Sequence, residues 1–498
     1  MTSNNMAAAG FRLARLEGGV SLAQDDEGHL RLQGGPPRYF ERLLLGRPVQ
    51  DAVYLTQQIS ADSGVSHALA ALAAWEDAGS LPVAENGIAL RELLHACSLL
   101  HAHLRQFYYQ ALPDYLPFAS LSAYDGSFPE LLRMQQGIAG KDAGHWTQQR
   151  FEHPFAAQEL ERLWEHRVQA LRALEQMQRM MALVGGKFPM VMSLVPGGVN
   201  LSLSEAAVLR LRALLGTVRA HLEGMVPGDG LLLLQRYPEL KTIGRGSADY
   251  LCAGSGKEAS AVEGAMFPSG VLLGGGLEPF AAVATESIHS AHYRIPDQAA
   301  AQGALTVPAP EKPGAYSWIK APRYYQRPME TGSIARLVIT NLSGAHIGSP
   351  DFADQLELLL GVPLTDGNTV GGRILARLGE MQGLMERAET LLDKLDPAHP
   401  TVAPEGEPFA VSGEGLGLVE APAGVLQHRM VLEKGRIVHY DIVSPSTWNG
   451  SPLDERGETG SLETALNRSA YDLSLPAHER TLSRIVHSFA FSMTDAVH

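Results

Sequence analysis

Two runs of residues, Val65 to about Ala78 and Asn86 to about Tyr109, carry apolar side chains at helical spacing and on more than one helical face. A helix that is apolar on several sides cannot lie on a surface; it has to be surrounded. Two of them in succession therefore dictate a fold with buried helices at its centre. With 498 residues, 45% of them hydrophobic, the chain has the material to enclose such a centre. The segments around it supply the wrapping. "VSLAQDDEGHLRLQGG" alternates about an Asp-Asp-Glu-Gly turn, a hairpin signal. "PRYFERLLLGRPVQDAVYLTQQIS" carries two short helical patterns parted at Gly46–Pro48. A further helix is expected from about Gln158 to Leu183, then a Gly/Pro loop over 185–200. "SLSEAAVLRLRALLGTVRAHLEGM" opens with a Ser-x-x-Glu-like cap and continues as an amphipathic helix. Residues 230–345 are Gly-rich and read as strands and loops. Helices near 351–361 and 371–394, a Pro-rich connector, strands over about 409–444 and a last helix over about 476–490 complete the pattern. No internal repeat is present. The fold class is α+β, a central bundle of long helices with peripheral mixed β-sheets, read as one unit over 1–498.

The bulk charge sets bounds on function. A formal net charge of −14 argues against a nucleic-acid partner. The two cysteines, Cys97 and Cys252, cannot build a disulfide framework and stand too far apart for a metal motif. A reduced, cytoplasmic setting is the simpler expectation. The start "MTSNNMAAAGFRLARLEGG" lacks a secretory pattern, and no window is apolar and long enough for a membrane span.

The stretch "QQISADSGVSHALA", from Gln57, holds the sharpest local question. Ser60 and Ser63 stand three apart, where a metal site would place Cys-x-x-Cys, and His67 follows four residues on. A hydroxyl is a poor ligand for a soft metal. Ser60, Ser63, Ser492 and Asp495 with His67 do not read as an oriented Ser–His–acid set. His95, His101 and His103 share a helical run, but their offsets give no i, i+4 pair on one face and read as core histidines. The methionines near Met177 to Met181 read as packing. "GRGSADYLCAGSG" carries no nucleotide-binding fingerprint.

Four pieces belong together: "RLEGG" from Arg15, "RYFERLLLGRPVQDA" from Arg38, "YSWIKAPRYYQRPMETGSIAR" from Tyr316, and the ending "VSPSTWNGSP" with "HSFAFSMTDAVH". With "GGKFP", "VPGGV" and "VEAPAGVLQH" between them, they resemble the large subunit of nickel-iron hydrogenases, in order and over nearly the whole chain. In that family two Cys-x-x-Cys pairs hold the catalytic metals. The resemblance places those pairs on Ser60 and Ser63, and on Ser492 and Asp495, so all four cysteines are replaced. Neither Cys97 nor Cys252 falls at a ligand position. The family's "EAPRG" arginine falls on Ala423, the arginine before the first pair on Gln58, and the histidines of its "HPHPQ" stretch on Phe188 and Met190. Other positions survive. Glu17 falls on the family's proton-relaying glutamate and reads here as a buried, packing carboxylate. Glu41 and His498 fall on the side-chain ligands of a structural magnesium, which needs no thiolate. The chain stops at the family's final histidine, where active members are usually made with a removable tail.

The resemblance implies a large subunit without a nickel-iron centre and without hydrogen activity of its own. It would pair with an iron–sulfur small subunit in an electron-transfer complex, held to any membrane only through partners. One alternative is a scaffold for assembly of the Fe(CN)2CO group. Such a scaffold should still offer the iron a cysteine. Another is an oxidoreductase that reuses the emptied cavity, with Ser60, Asp62, Ser63 and Asp495 lining it.

Overall fold

The computed structural model describes residues 11–13, 19–117, 153–254, 266–281, 284–295, 306–404, 407–469 and 476–498. Its long helices are α1 (Gly64–Gly79), α2 (Glu85–Arg105), α3 (Ala157–Gly185), α4 (Glu205–Arg236), α5 (Ser333–Leu342), α6 (Val370–Lys394) and α7 (Pro476–Ser488). The two runs apolar on several faces become α1 and α2. Helix α2 packs against α3 and α6, and α4 closes the bundle against α3 and α6. Its Leu90, Leu93, Leu94, Leu99 and Leu100 are fully buried, as an enclosed helix requires. At its end α2 passes into a π-helical segment, Gln106–Ala111, the kind of irregularity that re-aims side chains near sites.

Two elements differ from the sequence pattern. Helix α4 does not stop near Met225 but continues through Pro227 to Arg236. Packing explains the extension: Leu232, Leu233 and Leu234 are buried, and a Cβ on Gly230 would come within 2.3 Å of Leu378 on α6. Tertiary burial here outweighs the helix-breaking tendency of Pro and Gly. Its cap is Ser204, which accepts the amide of Ala207 at 3.2 Å, and not Ser202. Helix α5 lies within the segment expected to be strands and loops. Its β-branched "SIARLVIT" is nearly all buried, so it presents no solvent face to reveal a helical period.

Every ladder between described strands is antiparallel, and parallel pairing is confined to isolated bridges. The expected hairpin forms from Val20–Gln24 and Leu30–Gln33. The sheet that matters for the site is a meander of β1 (Gly413–Ala421), β2 (Gly424–Glu433) and β3 (Arg436–Val443). Helix α1 lies directly on β1. A Cβ on Gly415 would sit 1.9 Å from the Ala74 carbonyl oxygen, and one on Gly417 would sit 1.9 Å from that of Ala70. Glycine on the strand and alanine on the helix thus bring two backbones together with no side chain between them. That contact fixes the start of α1 above β2 and β3. The end of the chain, with a short helix Met493–Ala496, packs on Pro445–Asn449 just after β3.

Candidate functional site

Ser60 and Ser63 form a turn entering α1, in which the Ser63 amide donates to Ser60 Oγ at 3.4 Å. Ser492 caps the Met493–Ala496 helix and accepts the Asp495 amide at 3.3 Å. Both serine pairings use a three-residue spacing to satisfy a backbone N–H, the usual work of a small hydroxyl at a helix start. The Ser492 amide itself donates to Ser446 Oγ at 3.2 Å.

Asp495 is the hub of this region. It is 1% exposed, and its carboxylate meets His67 Nε2 at 3.0 Å and the Ser446 amide at 3.3 Å. Its carbonyl oxygen accepts from Ser444 Oγ and from His498 Nδ1, both at 2.8 Å. His67 Nδ1 lies 2.9 Å from His428 Nε2, and His428 Nδ1 lies 2.7 Å from the Tyr440 hydroxyl. All four side chains are buried. Burial works against an ionised Asp495, but the hydrogen bonds it accepts from His67 and Ser446 outweigh it and hold the carboxyl below its ordinary range. Burial lowers His67 and takes His428 well below the ordinary imidazole value. Arg38 ties the two ends together. It donates to the carbonyls of Gln58 at 3.1 Å and Ile59 on one side, and of Thr494 at 2.7 Å on the other.

A cavity adjoins this cluster. Ser63, Ser492, Ser446, His103, Gln106 and Ala423 are among its lining residues, and the space open to a water centre is about 10 Å³, room for one water molecule. Among the described residues no lysine or arginine lines it. His103 Nε2 lies 3.2 Å from Glu380, while its buried Nδ1 has no hydrogen-bond partner among the described residues. Burial opposes ionisation of Glu380, but Arg336 at 2.9 Å dominates and keeps its pKa at about 2. His103 is lowered by burial and so offers the cavity a neutral imidazole.

The three histidines of α2 do not converge. His95 contacts the Glu420 carbonyl oxygen at 2.9 Å, and His101 contacts Gln178 at 3.1 Å and the edge of Phe188. Met190 is half-buried and Gln58 exposed. Cys97 and Cys252 are buried free thiols, and burial pushes Cys97 up to about 12. Among the described residues no cluster of three or more His, Cys, Asp or Glu side chains forms a metal site. Glu17 lies outside the described residues.

A second polar cluster holds the remaining expected site. Glu41 takes Lys320 Nζ at 3.2 and 3.3 Å and the Ile442 amide at 3.1 Å. His498 Nε2 lies 2.8 Å from the Ile442 carbonyl oxygen and 3.8 Å from Glu41. Burial opposes ionisation of Glu41, but Lys320 and His498 outweigh it and hold the carboxyl at about 2. Beside them Glu286 Oε2 accepts from Lys320 Nζ at 3.3 Å, while its buried Oε1 has no hydrogen-bond partner among the described residues. Lys320 Nζ sits between the carboxylates of Glu41 and Glu286, and both nitrogens of His498 face backbone carbonyl oxygens, which accept only from N–H groups. This arrangement leaves neither an oxygen-lined gap nor an imidazole lone pair and does not fit a magnesium ion.

Sequence reasoning missed His428, Tyr440 and Ser446. The signal for His428 was present: in β2 it occupies an inward position, alternating with Leu426 and Met430. A histidine on a strand's buried face needs a polar partner.

Comparison with known proteins identifies the class. The family model for nickel-dependent hydrogenases matches residues 38–135 and 130–498. The chain belongs to the nickel-dependent hydrogenase family, as a large-subunit member. It is 26% identical over 510 residues to the periplasmic [NiFeSe] hydrogenase large subunit of Desulfomicrobium baculatum, covering 95% of this chain and 93% of that one. It is also 26% identical over 550 residues to the hydrogenase-2 large chain of Escherichia coli (strain K12), covering 95% of each. The Ni-Fe-Se hydrogenase structure from D. vulgaris Hildenborough superposes with a TM-score of 0.83 at 25% identity, over 98% of this chain and 99% of that one. This chain has two cysteines in all, neither of them at positions 60, 63, 492 or 495.

Proposed function

We propose that this chain is a large subunit without a nickel-iron centre, acting as one unit over 1–498. It pairs with an iron–sulfur small subunit in a cytoplasmic electron-transfer complex and does not itself turn over hydrogen. One observation carries the reading. The positions that the family resemblance assigns to metal thiolates hold Ser60, Ser63, Ser492 and Asp495, and their backbone and side-chain groups are engaged in hydrogen bonds across the site. This donor set does not suit nickel, which wants soft sulfur.

The size of the cavity bears on the alternatives. A space for one water molecule leaves no room for an organic substrate, which counts against reuse of the cavity by another oxidoreductase. The absence of a cationic lining, and of a cysteine, counts against a scaffold holding an anionic iron–cyanide group. Among the described residues no helix is long and apolar enough to cross a membrane. In this reading the Lys320 ammonium, between Glu41 and Glu286, takes the place of the magnesium ion that the resemblance implies, and Glu41 and His498 tie the chain's end to β3 through Ile442.

The test is infrared spectroscopy with elemental analysis on protein purified from its native host together with its partner. The reading expects no carbon monoxide or cyanide bands, no nickel, and an iron–sulfur subunit in the same peak. Bands without nickel would transfer the assignment to the scaffold. Nickel at one per chain would overturn both.

A further inference from the structure

The chain Tyr440–His428–His67–Asp495 has only one arrangement of protons that leaves no buried group unsatisfied. Each ring uses both nitrogens within the chain: His428 faces Tyr440 and His67, and His67 faces His428 and Asp495. Tyr440 is fully buried, and among the described residues the hydrogen bond with His428 Nδ1 is the one its hydroxyl makes. Its proton must therefore point at that nitrogen, which then carries a lone pair. His428 is consequently protonated on Nε2 and donates to His67 Nδ1. His67 is in turn protonated on Nε2 and donates to Asp495, which also accepts the Ser446 amide and so acts as an ionised carboxylate. The reverse order would need a protonated Asp495 and would strand the tyrosine proton.

We infer that the ionised Asp495 terminates a one-way hydrogen-bond chain, Tyr440 to His428 to His67 to Asp495, that holds the start of α1, the β2–β3 sheet and the C-terminal segment in register without any metal. Asp495 is a positioning residue. It acts through His67 on α1 and, through its carbonyl, on Ser444 and His498. The inference rests on the metal-free reading given above. It assigns to one carboxylate the joining of the two chain ends.

The test uses the full-length protein with its partner, carrying ¹⁵N-labelled histidine, with H67Q and H428Q to assign the signals. Metal content is measured on the same sample, so that a failure of the metal-free reading shows separately. The expected spectrum has His67 and His428 both neutral and both protonated on Nε2. Asp495→Ala should remove that fixed state at His67 and increase hydrogen exchange over residues 489–498 at least tenfold. A chelator should change neither readout in the wild type. An Nδ1-protonated or doubly protonated His67 or His428 would overturn the inference, even if the variant fails to fold. So would unchanged exchange in Asp495→Ala.

Discussion

Replacing Gly417 by alanine tests whether the backbone contact between α1 and β1 holds the site. The added Cβ would lie 1.9 Å from the Ala70 carbonyl oxygen, whereas an ordinary contact begins near 3.4 Å, so helix or strand must retreat by 3.4 − 1.9 = 1.5 Å along that line. Ala70 is one helical turn from His67, whose bonds to His428 and Asp495 measure 2.9 and 3.0 Å. A retreat of that size takes both beyond hydrogen-bonding distance. Overpacking costs about 1–3 kcal/mol. Each buried group left unpaired adds about 1–3 kcal/mol. The sum is on the order of 3–5 kcal/mol once partial relaxation is allowed. Chemical denaturation read by far-UV and near-UV circular dichroism measures it. The paired control is Gly216→Ala on α4, where a Cβ meets nothing within 4 Å. That change should stabilise by roughly 0.5–1 kcal/mol through helix propensity. If Gly417→Ala is as mild as Gly216→Ala, the contact does not position the site and the reasoning fails.

Three further outcomes follow from buried groups. Glu463 is raised to about 7 by burial, against the opposing Leu32 amide, Arg31 and Tyr316. A carboxyl raised in the folded state contributes stability that is full below its unfolded pKa and is lost as pH rises through the folded one, here from about 4.5 to about 7. The difference in unfolding free energy between wild type and Glu463→Gln should therefore shift against the wild type by on the order of 3 kcal/mol across that window; a flat difference would refute the shift. Glu41→Gln leaves Lys320 and His498 facing no carboxylate in that pair and should cost about 3–5 kcal/mol in denaturant titrations, and a loss under 1 kcal/mol would mean that Glu286 or solvent neutralises them. Cys97 and Cys252, buried thiols raised by burial, should resist a thiol reagent until the chain unfolds; labelling of the native protein would contradict their burial.

The parts of the fold readable in the sequence are those whose surroundings are uniform. Helices α1 and α2 announced themselves because enclosure on several sides requires apolar residues on several faces. The hairpin at Val20–Gln33 showed because one face alternates with solvent. Helix α5 and the last third of α4 were hidden for the opposite reason: their conformation is imposed by neighbours, as the approach of Gly230 to Leu378 shows, against local preference. At the site, the positions of Ser60, Ser63, Ser492 and Asp495 came from resemblance alone. The rest of the network, His428 against His67, Tyr440 against His428 and Ser446 against Asp495, joins residues far apart in the chain or on different elements, and spacing carries no record of such pairings.

The replacements at the four positions are small and polar, and the geometry gives a reason. A Cys-x-x-Cys turn places a second residue's amide toward the first residue's side chain. The same spacing lets Ser60 Oγ accept the Ser63 amide and Ser492 Oγ accept the Asp495 amide. An apolar residue at 60 or 492 would leave those buried N–H groups unpaired at about 1–3 kcal/mol each. Serine keeps the turn while giving up the thiolate. At 495 the demand is different, because the neighbouring donors are a histidine and the Ser446 amide, and only a two-oxygen acceptor meets both. Serine at 60 and 492 and aspartate at 495 thus follow the donors that surround each one, while nothing in the structure explains the serine side chain at 63. The turns that the resemblance assigns to metal binding are held here by serine hydroxyls and a buried carboxylate.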